Sequence, residues 1–200
     1  VCQALKPQME ERSEVMHQYE KINGLYQLLS GNRKNSRMDI ETYVQRHYLE
    51  QILEAANQRF QDMSAGQFEL RMCDIDKAGT GKNRGLDLMV YSAVTGKVRE
   101  VRTLSGGESF MAALSLALGM ADQIQESSAA INLDMMFIDE GFGSLDEHSR
   151  DQAVKVLQNM AEGEKLIGII SHVTELKQEI EDQLIVTKDD QGSHTRWQIS

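Results

Sequence analysis

A chain of 200 residues is long enough to bury one full hydrophobic core without disulfides or a structural metal. Its formal net charge of −10 argues against a dedicated nucleic-acid coat protein, although a local basic patch or a partner could still bring in DNA. No apolar run approaches the roughly 18 residues that a membrane span needs, so we expect no membrane partner.

The two cysteines, Cys2 and Cys73, have neither metal-ligand nor paired spacing, which predicts a reducing, cytoplasmic location. A helical pattern is already running at Val1, so we expect a fragment of a longer polypeptide.

Two helices are predicted at the start. The apolar residues of the first follow heptad spacing: Val15, Tyr19, Ile22, Tyr26 and Leu29. This pattern predicts either the end of a coiled-coil arm or an amphipathic helix lying on a core, and the short stretch alone slightly favours the second. The other helix begins at the N-cap Asp39 and ends near residues 64–66, with an apolar face that packs on a core.

Three alternating stretches then predict short strands at Phe68–Met72, Leu86–Val90 and Lys97–Val101. The segment Gly79-Thr80-Gly81-Lys82-Asn83 resembles a phosphate loop. A P-loop, however, needs a glycine five residues before its Gly-Lys pair and a Ser or Thr after it. Asp76 and Asn83 stand at those places, so we interpret the segment as a hairpin loop. No other stretch of the chain offers a P-loop.

The stretch from Met135 to Asp146 joins a run of apolar residues to two adjacent carboxylates. The run predicts a strand buried on both faces in a parallel sheet, and Asp139 and Glu140 stand at its carboxyl end, where ligands bind in open α/β sheets. Adjacent side chains alternate in direction, so one carboxylate can hold Mg²⁺ through water while the other orients the water that attacks a phosphate. This is the Walker B pattern of a nucleotide triphosphatase, although an Asp-Glu pair can also simply open a loop.

The segment Leu104-Ser105-Gly106-Gly107-Glu108 opens a helix that runs toward Ile124. Ser105 and Glu108 form a capping box. Two glycines in a first turn each cost about 1 kcal/mol relative to alanine, which indicates that something approaches the backbone closely. Bare amides and a hydroxyl at a helix N-terminus suit a phosphate. The pentapeptide is also the ABC-type ATPase signature.

Two further segments supply the expected partners of this site. Gly143 to Asp146 makes a tight turn into an amphipathic helix. Leu166 to Ile170 is a second apolar strand that delivers His172 at its carboxyl end, where the imidazole can touch a terminal phosphate beside the two carboxylates. The chain closes with an edge hairpin over residues 184–199.

These motifs resemble those of the SbcC family, SMC-like ABC ATPases that work with an SbcD-type nuclease on DNA ends. The likeness covers about Gly31 to Lys177 and is most specific from Phe137 to Asp146, where the final turn resembles the D-loop. Transporter ATPases usually end the signature in Gln and follow Asp-Glu with Pro or Ala. Glu108 and Gly141 stand here instead, which favours the SMC-like branch.

The resemblance implies an α/β fold: the C-terminal lobe of an ABC-type ATPase head, with a parallel-sheet core, flanking helices and β-hairpins, preceded by helices of a coiled-coil base. Residues 1–64 would form the coiled-coil end and base, where the nuclease is expected to dock, and residues 65–200 the ATPase lobe. The P-loop would lie in an N-terminal lobe beyond a long coiled coil with a zinc-binding hook. This chain contains none of those parts.

The resemblance also implies ATP and Mg²⁺ as cofactors. Asp139 would hold Mg²⁺, Glu140 would polarise the attacking water, and His172 would contact the γ-phosphate. Ser105 to Glu108 would bind the γ-phosphate of a nucleotide held by a second copy of the head, with Asp146 at the same interface. ATP-driven head dimerisation would gate the access of the nuclease to double-stranded DNA ends in repair and recombination, at a nucleoid-associated location.

Two alternatives stay open at this point. A transporter ATPase would share Asp139, Glu140 and His172, but it would lack the heptad arm and bind a membrane partner. A nucleotide-independent DNA tether would make the carboxylates bystanders. ATP turnover with and without Glu140 separates the tether from the ATPase.

Overall fold

A computed structural model describes residues 2–31, 38–74, 85–127, 133–161 and 165–199. The predicted hairpin loop at 79–83 lies outside these ranges. Helix α1 (Cys2–Leu29) ends before Ser30 and Gly31, as the sequence predicts. Its heptad side chains Val15, Tyr19, Ile22 and Tyr26 are exposed. An amphipathic helix lying on a core is therefore the wrong interpretation of α1, because its apolar stripe meets no core in the described part of the chain.

Helix α2 (Ile40–Met63) begins at the predicted N-cap, where the Asp39 carboxylate accepts the Thr42 N–H at 2.7 Å. Its buried apolar residues are Leu53, Ala56, Phe60 and Met63. The Asn57 side chain donates to the carbonyl of Leu70 at 2.8 Å and accepts its N–H at 2.7 Å. Asn57 on α2 thus satisfies the backbone N–H and C=O of Leu70 in the neighbouring strand. It thereby fixes the position of α2 along that strand.

Strands β1 (Phe68–Met72), β2 (Leu88–Ser92) and β3 (Lys97–Glu100) form an antiparallel sheet in that order. The middle strand begins two residues later than the alternation predicts. A single 3-10 turn, Val101–Thr103, leads from β3 to α3 (Gly106–Ser127).

Helix α3 crosses α2 at backbone contact distance. A Cβ atom added at Gly119 would lie 2.7 Å from the carbonyl oxygen of Ile52 and 2.9 Å from the amide nitrogen of Ala56. Leu114 and Leu118 of α3 are buried in the same core. The absence of a side chain at Gly119 therefore sets how closely the two helices approach.

Strands β4 (Met135–Asp139) and β5 (Leu166–Ile170) pair in parallel, with Met135 opposite Leu166 and Asp139 opposite Ile170. Helix α4 (Glu147–Ala161) lies between them in the chain and buries Ala153, Val154 and Leu157. The parallel pairing brings both strand ends to one edge, as expected for this α/β connection.

The prediction that β4 is buried on both faces is wrong. Met136, Ile138, Ile167 and Ile169 pack against the core, whereas the side chains on the opposite face stay exposed: Met135, Phe137, Leu166 and Ile170. Phe137 is 65% exposed. The physical reason is that the described part of the chain covers only one face of this two-stranded sheet.

The chain ends with the short helix α5 (Leu176–Glu179) and the hairpin of β6 (Gln183–Asp189) and β7 (Gly192–Gln198). The hairpin was predicted from the sequence, and it leaves Val186 and Trp197 exposed. No helix in the described ranges is long and apolar enough to cross a membrane.

We predict that Gly119→Ala lowers the free energy of unfolding by about 1–3 kcal/mol, because the new methyl group meets backbone atoms of α2 that can move only by separating the helices. The matched control is Gly24→Ala, a helical position with nothing within 4 Å. It should be neutral or stabilising by up to about 1 kcal/mol, as helix propensity dictates. Chemical denaturation followed by circular dichroism measures both, and equal effects would contradict the close crossing.

Candidate functional site

Three predicted site residues lie together at the carboxyl edge of the parallel sheet. Asp139 is the last residue of β4, and the N–H of Glu140 donates to the carbonyl of Ile170 at 2.9 Å. This bond extends the pairing of β4 and β5 by one step. His172 follows β5, and its Nδ1 lies 2.8 Å from Oε2 of Glu140. Parallel pairing therefore brings His172 next to the adjacent Asp139 and Glu140, from which it is distant in sequence.

The backbone reverses direction directly after Asp139. Glu140 has a φ of +59° and Gly141 a φ of +96°. A left-handed conformation costs a non-glycine residue roughly 1–2 kcal/mol, and strain of this kind is concentrated at functional sites. The left-handed turn ends strand β4, and the Glu140 carboxylate faces His172.

The cluster is open to solvent. The side chains of His172 and Glu140 are 81% and 48% exposed, so their contact adds little to stability. The Asp139 carboxylate is exposed and makes no hydrogen bond or ion pair within the described ranges. Uncommitted, solvent-exposed carboxylate oxygens suit a hard cation such as Mg²⁺.

The described residues include no group of three or more His, Cys, Asp or Glu side chains that could hold a metal by themselves. A cation at Asp139 would thus complete its coordination with water and ligand oxygens. This is the usual arrangement for Mg²⁺, which retains waters and binds one or two carboxylates together with phosphates.

The predicted capping box is present at the start of α3. Ser105 N–H donates to Oε2 of Glu108 at 2.8 Å, and Glu108 N–H donates to the Ser105 hydroxyl at 3.3 Å. Arg99 of β3 approaches the same Glu108 oxygen, with Nη2 at 3.1 Å. The sequence did not predict the contact between Arg99 and Glu108, because the two residues are nine positions apart and no local pattern pairs residues across such a turn.

The two signature glycines have different surroundings. A Cβ atom at Gly107 would lie 2.8 Å from the carbonyl oxygen of Ser144, so this glycine permits close packing inside the chain. At Gly106 the nearest neighbour would be Cβ of Ser144 at 3.6 Å, an ordinary contact. Gly106 is exposed, and its side of the helix N-terminus stays accessible. The close approach inferred from the sequence is therefore internal at Gly107 and open to a ligand at Gly106.

Asp146 caps the helix that follows the turn. Its carboxylate accepts the Ser149 N–H and the Ser149 hydroxyl, both at 2.9 Å. These two hydrogen bonds, first the backbone one and then the side-chain one, hold the pKa of Asp146 below its ordinary value. This capping role of Asp146 was not predicted from the sequence, although Ser149 follows three residues later; the interface role of Asp146 stays a prediction.

An aromatic contact joins the two motif clusters. A Cβ atom at Gly141 would lie 2.1 Å from Cε2 of Phe110, so the ring of this α3 residue occupies the space of the missing side chain. Phe110 also meets the buried Phe142 edge to face, with ring centroids 5.0 Å apart. Phe110 was not singled out from the sequence, because only the tertiary fold brings it to the turn after Glu140.

We predict that Gly141→Ala destabilises the chain by about 3 kcal/mol, since alanine at positive φ is strained and its methyl group would collide with Phe110. Gly96→Ala is the matched control, because Gly96 has a φ of +66° but nothing within 4 Å. It should cost only the strain, about 1–2 kcal/mol. Denaturant titration of both variants measures the difference, and equal losses would refute the Phe110 contact.

A family model described as "SbcC/RAD50-like, Walker B motif" matches residues 86–159. The curated SbcC protein of the SbcCD nuclease from Treponema pallidum is 43% identical over 190 residues, which is 95% of this chain and 17% of that protein. The protein of the same name from Vibrio cholerae is 44% identical over 179 residues, which is 90% of this chain and 18% of that protein. The chain thus spans less than a fifth of the length of these relatives.

Solved structures agree with the fold. The first comes from work on the ATP-driven dimerisation and DNA-stimulated activation of SMC ATPases. It has a TM-score of 0.60 at 15% identity, and the match covers 78% of this chain and 88% of that chain. An Smc head domain with an extended coiled coil from Pyrococcus furiosus, bound to the C-terminal domain of ScpA, has a TM-score of 0.57 at 16% identity, covering 94% and 44%.

These matches confirm the predicted fold class, a mixed α/β fold with a parallel sheet and helices like that of the SMC head domains. They also confirm the family that the Walker B stretch predicted. The chain belongs to the SbcC/RAD50-like family.

Proposed function

We propose that this chain is the C-terminal half of an ATP-binding and ATP-hydrolysing head in a nuclease complex. In this proposal two heads join on ATP, and their dimerisation gates the access of an SbcD-type nuclease to double-stranded DNA ends in the cytoplasm. The observation that carries it is the cluster of Asp139, Glu140 and His172 at the carboxyl edge of the parallel sheet. The names of the relatives support a nuclease complex and give no support to a transporter.

Each residue of the cluster has a distinct task. Asp139, with its uncommitted carboxylate, would hold Mg²⁺ through water, and the ion would supply neutralisation of the phosphate charge. Glu140 has one oxygen engaged by His172 and the other available to orient and polarise the attacking water. With Nδ1 of His172 directed at Glu140, its Nε2 is the ring nitrogen left to contact the γ-phosphate.

The signature residues would act on a second head. Ser105, Gly106, Gly107 and Glu108 form an exposed or half-exposed helix N-terminus, and its first-turn amides suit the γ-phosphate of a nucleotide that the other head holds. Gly107 packs on Ser144, two residues before Asp146. This packing supports a shared interface for the signature turn and Asp146.

The missing phosphate cradle would come from an N-terminal lobe. The exposed face of β4 and β5 carries four large apolar side chains, and burying such a face is strongly favourable. The sequence contains no P-loop, so a lobe that covers this face and provides the P-loop would complete the site.

The helical part would form the arm and base. The uncovered heptad stripe of α1 suits a second coiled-coil helix, and α2 exposes Tyr43, Val44 and Tyr48 on the outside of the base. Residues 1–64 would thus be the coiled-coil end and base, where the nuclease docks. Residues 65–200 would be the ATPase lobe.

We expect this chain alone to show no appreciable ATP turnover, because it contains no P-loop to hold the phosphates. Addition of the N-terminal lobe should restore Mg²⁺-dependent turnover, measured by phosphate release. A two-lobed head carrying a disrupted P-loop in the N-terminal lobe is the control. Robust turnover by the isolated chain would contradict the split head.

A second expectation separates the two carboxylates. In the two-lobed head, Glu140→Gln should retain ATP binding and dimerisation but lower the single-turnover rate by about a hundredfold or more, because the amide cannot accept the proton of the attacking water. Asp139→Asn should instead weaken Mg²⁺-dependent ATP binding itself.

The control for both variants is Glu175→Gln, an exposed carboxylate whose side chain caps no helix. It should leave affinity and rate unchanged. The proposed division of labour fails if Glu140→Gln loses binding as badly as Asp139→Asn does, or if it turns over normally.

A further inference from the structure

The signature segment carries a carboxylate at the place where a phosphate is proposed to bind. Oε2 of Glu108 accepts the Ser105 N–H at 2.8 Å, so its negative charge lies at the same helix N-terminus. Two anions in one small site repel each other, and the repulsion grows when a dimer interface excludes water. A phosphate site with Glu108 therefore needs a compensating cation.

Arg99 supplies that cation from β3. Its Nη2 lies 3.1 Å from Oε2 of Glu108, and its Nη1 donates to the carbonyl of Thr103 at 2.8 Å. The guanidinium carbon is 5.6 Å from the ring centroid of Phe68. The side chains of Arg99 and Glu108 are 36% and 24% exposed, so the pair is partly sheltered from water. Three contacts from three directions hold this cation beside the signature turn.

We propose that Arg99 is a positioning residue for the signature segment. It cancels the charge of Glu108 and keeps that carboxylate in its capping position, which leaves the amides of Gly106 and Gly107 for the terminal phosphate of a nucleotide. The inference rests on the proposed function and deepens it. It explains how a capping box that contains a carboxylate can operate inside an anion site.

The neighbouring arginine provides a matched comparison. Arg102 lies in the 3-10 turn between β3 and α3, and it pairs with Glu100. Its side chain is 81% exposed, and within the described ranges it has no contact with Glu108. Arg102→Gln removes the same charge a few residues away without touching the signature turn.

The charges of the Arg99–Glu108 pair define an ordered series of variants. The pair is neutral in the unmodified protein, negative in Arg99→Gln, positive in Glu108→Gln, and neutral again in the double variant. If the pair acts on phosphate through charge, the double variant recovers what Arg99→Gln loses. A merely structural role predicts the opposite, because Glu108→Gln also weakens the capping box.

The experiment uses the two-lobed head and measures the ATP concentration for half-maximal dimerisation by light scattering. Arg99→Gln should raise this concentration by about tenfold, as expected for one uncompensated charge near the phosphate. Arg99→Gln with Glu108→Gln should return to within about threefold of the unmodified head, and Glu108→Gln alone should lie at or below it. Arg102→Gln should change nothing.

Two further measurements keep the result specific. The single-turnover rate at saturating ATP should stay within about threefold for Arg99→Gln, because Glu140 and His172 are untouched. Arg99→Met keeps a side chain of similar length but removes the charge together with the donors to Glu108 and Thr103, so it should behave like Arg99→Gln even if the glutamine variant folds poorly.

The outcomes separate this inference from the proposed function. If the unmodified head does not dimerise with ATP, the proposed function is wrong and the inference falls with it. If the unmodified head dimerises and Arg99→Met dimerises at the same ATP concentration, only the inference is overturned. It is overturned as well if the double variant is as weak as Arg99→Gln.

Discussion

The contact between the Gly141 backbone and the ring of Phe110 fixes the position of the signature turn relative to the Asp139–Glu140–His172 cluster. Gly141 has no side chain and the ring fills its place, so α3 reaches the turn that follows Asp139. Gly107 meets the same turn through the backbone of Ser144. A single short turn thus touches the start of the signature helix and adjoins the Asp139 and Glu140 carboxylates. The two clusters therefore share one turn as their common support.

Contacts of α2 with α3 and with the antiparallel sheet hold this arrangement in place. Gly119 lets α3 approach α2 at backbone distance, and Asn57 ties α2 to Leu70 of the antiparallel sheet. The Gly119 contact is buried and the Asn57 hydrogen bonds are partly buried, whereas the site itself is open and held by few interactions. That division is common in proteins, since a rigid scaffold carries exposed groups that must accommodate a ligand. The left-handed Glu140 is the local strain that the scaffold has to hold.

The exposed apolar faces have a consistent explanation. A strand run such as that of β4 is typical of a sheet covered on both sides, yet one side of the β4–β5 pair lies open together with the stripe of α1 and the face of the terminal hairpin. Apolar surface of this extent is unusual on a complete monomer. The chain spans less than a fifth of the length of its relatives. Under the proposed function, the other parts of such a protein would cover these faces.

The sequence alone determined the helices and strands other than α5 to within a few residues, the parallel pairing of the strands that carry the Asp-Glu pair and His172, the capping box and the family. Periodicity, caps and contiguous motifs are local, so the residues that make them are neighbours in the chain. Only the tertiary structure decided the contacts of Arg99 with Glu108 and of Phe110 with Gly141, the packing reason for Gly107, and the uncovered face of β4. These depend on which distant segments meet, and the distances that decide them are set by the packing of α3 against α2 and against the turn at Phe142–Ser144.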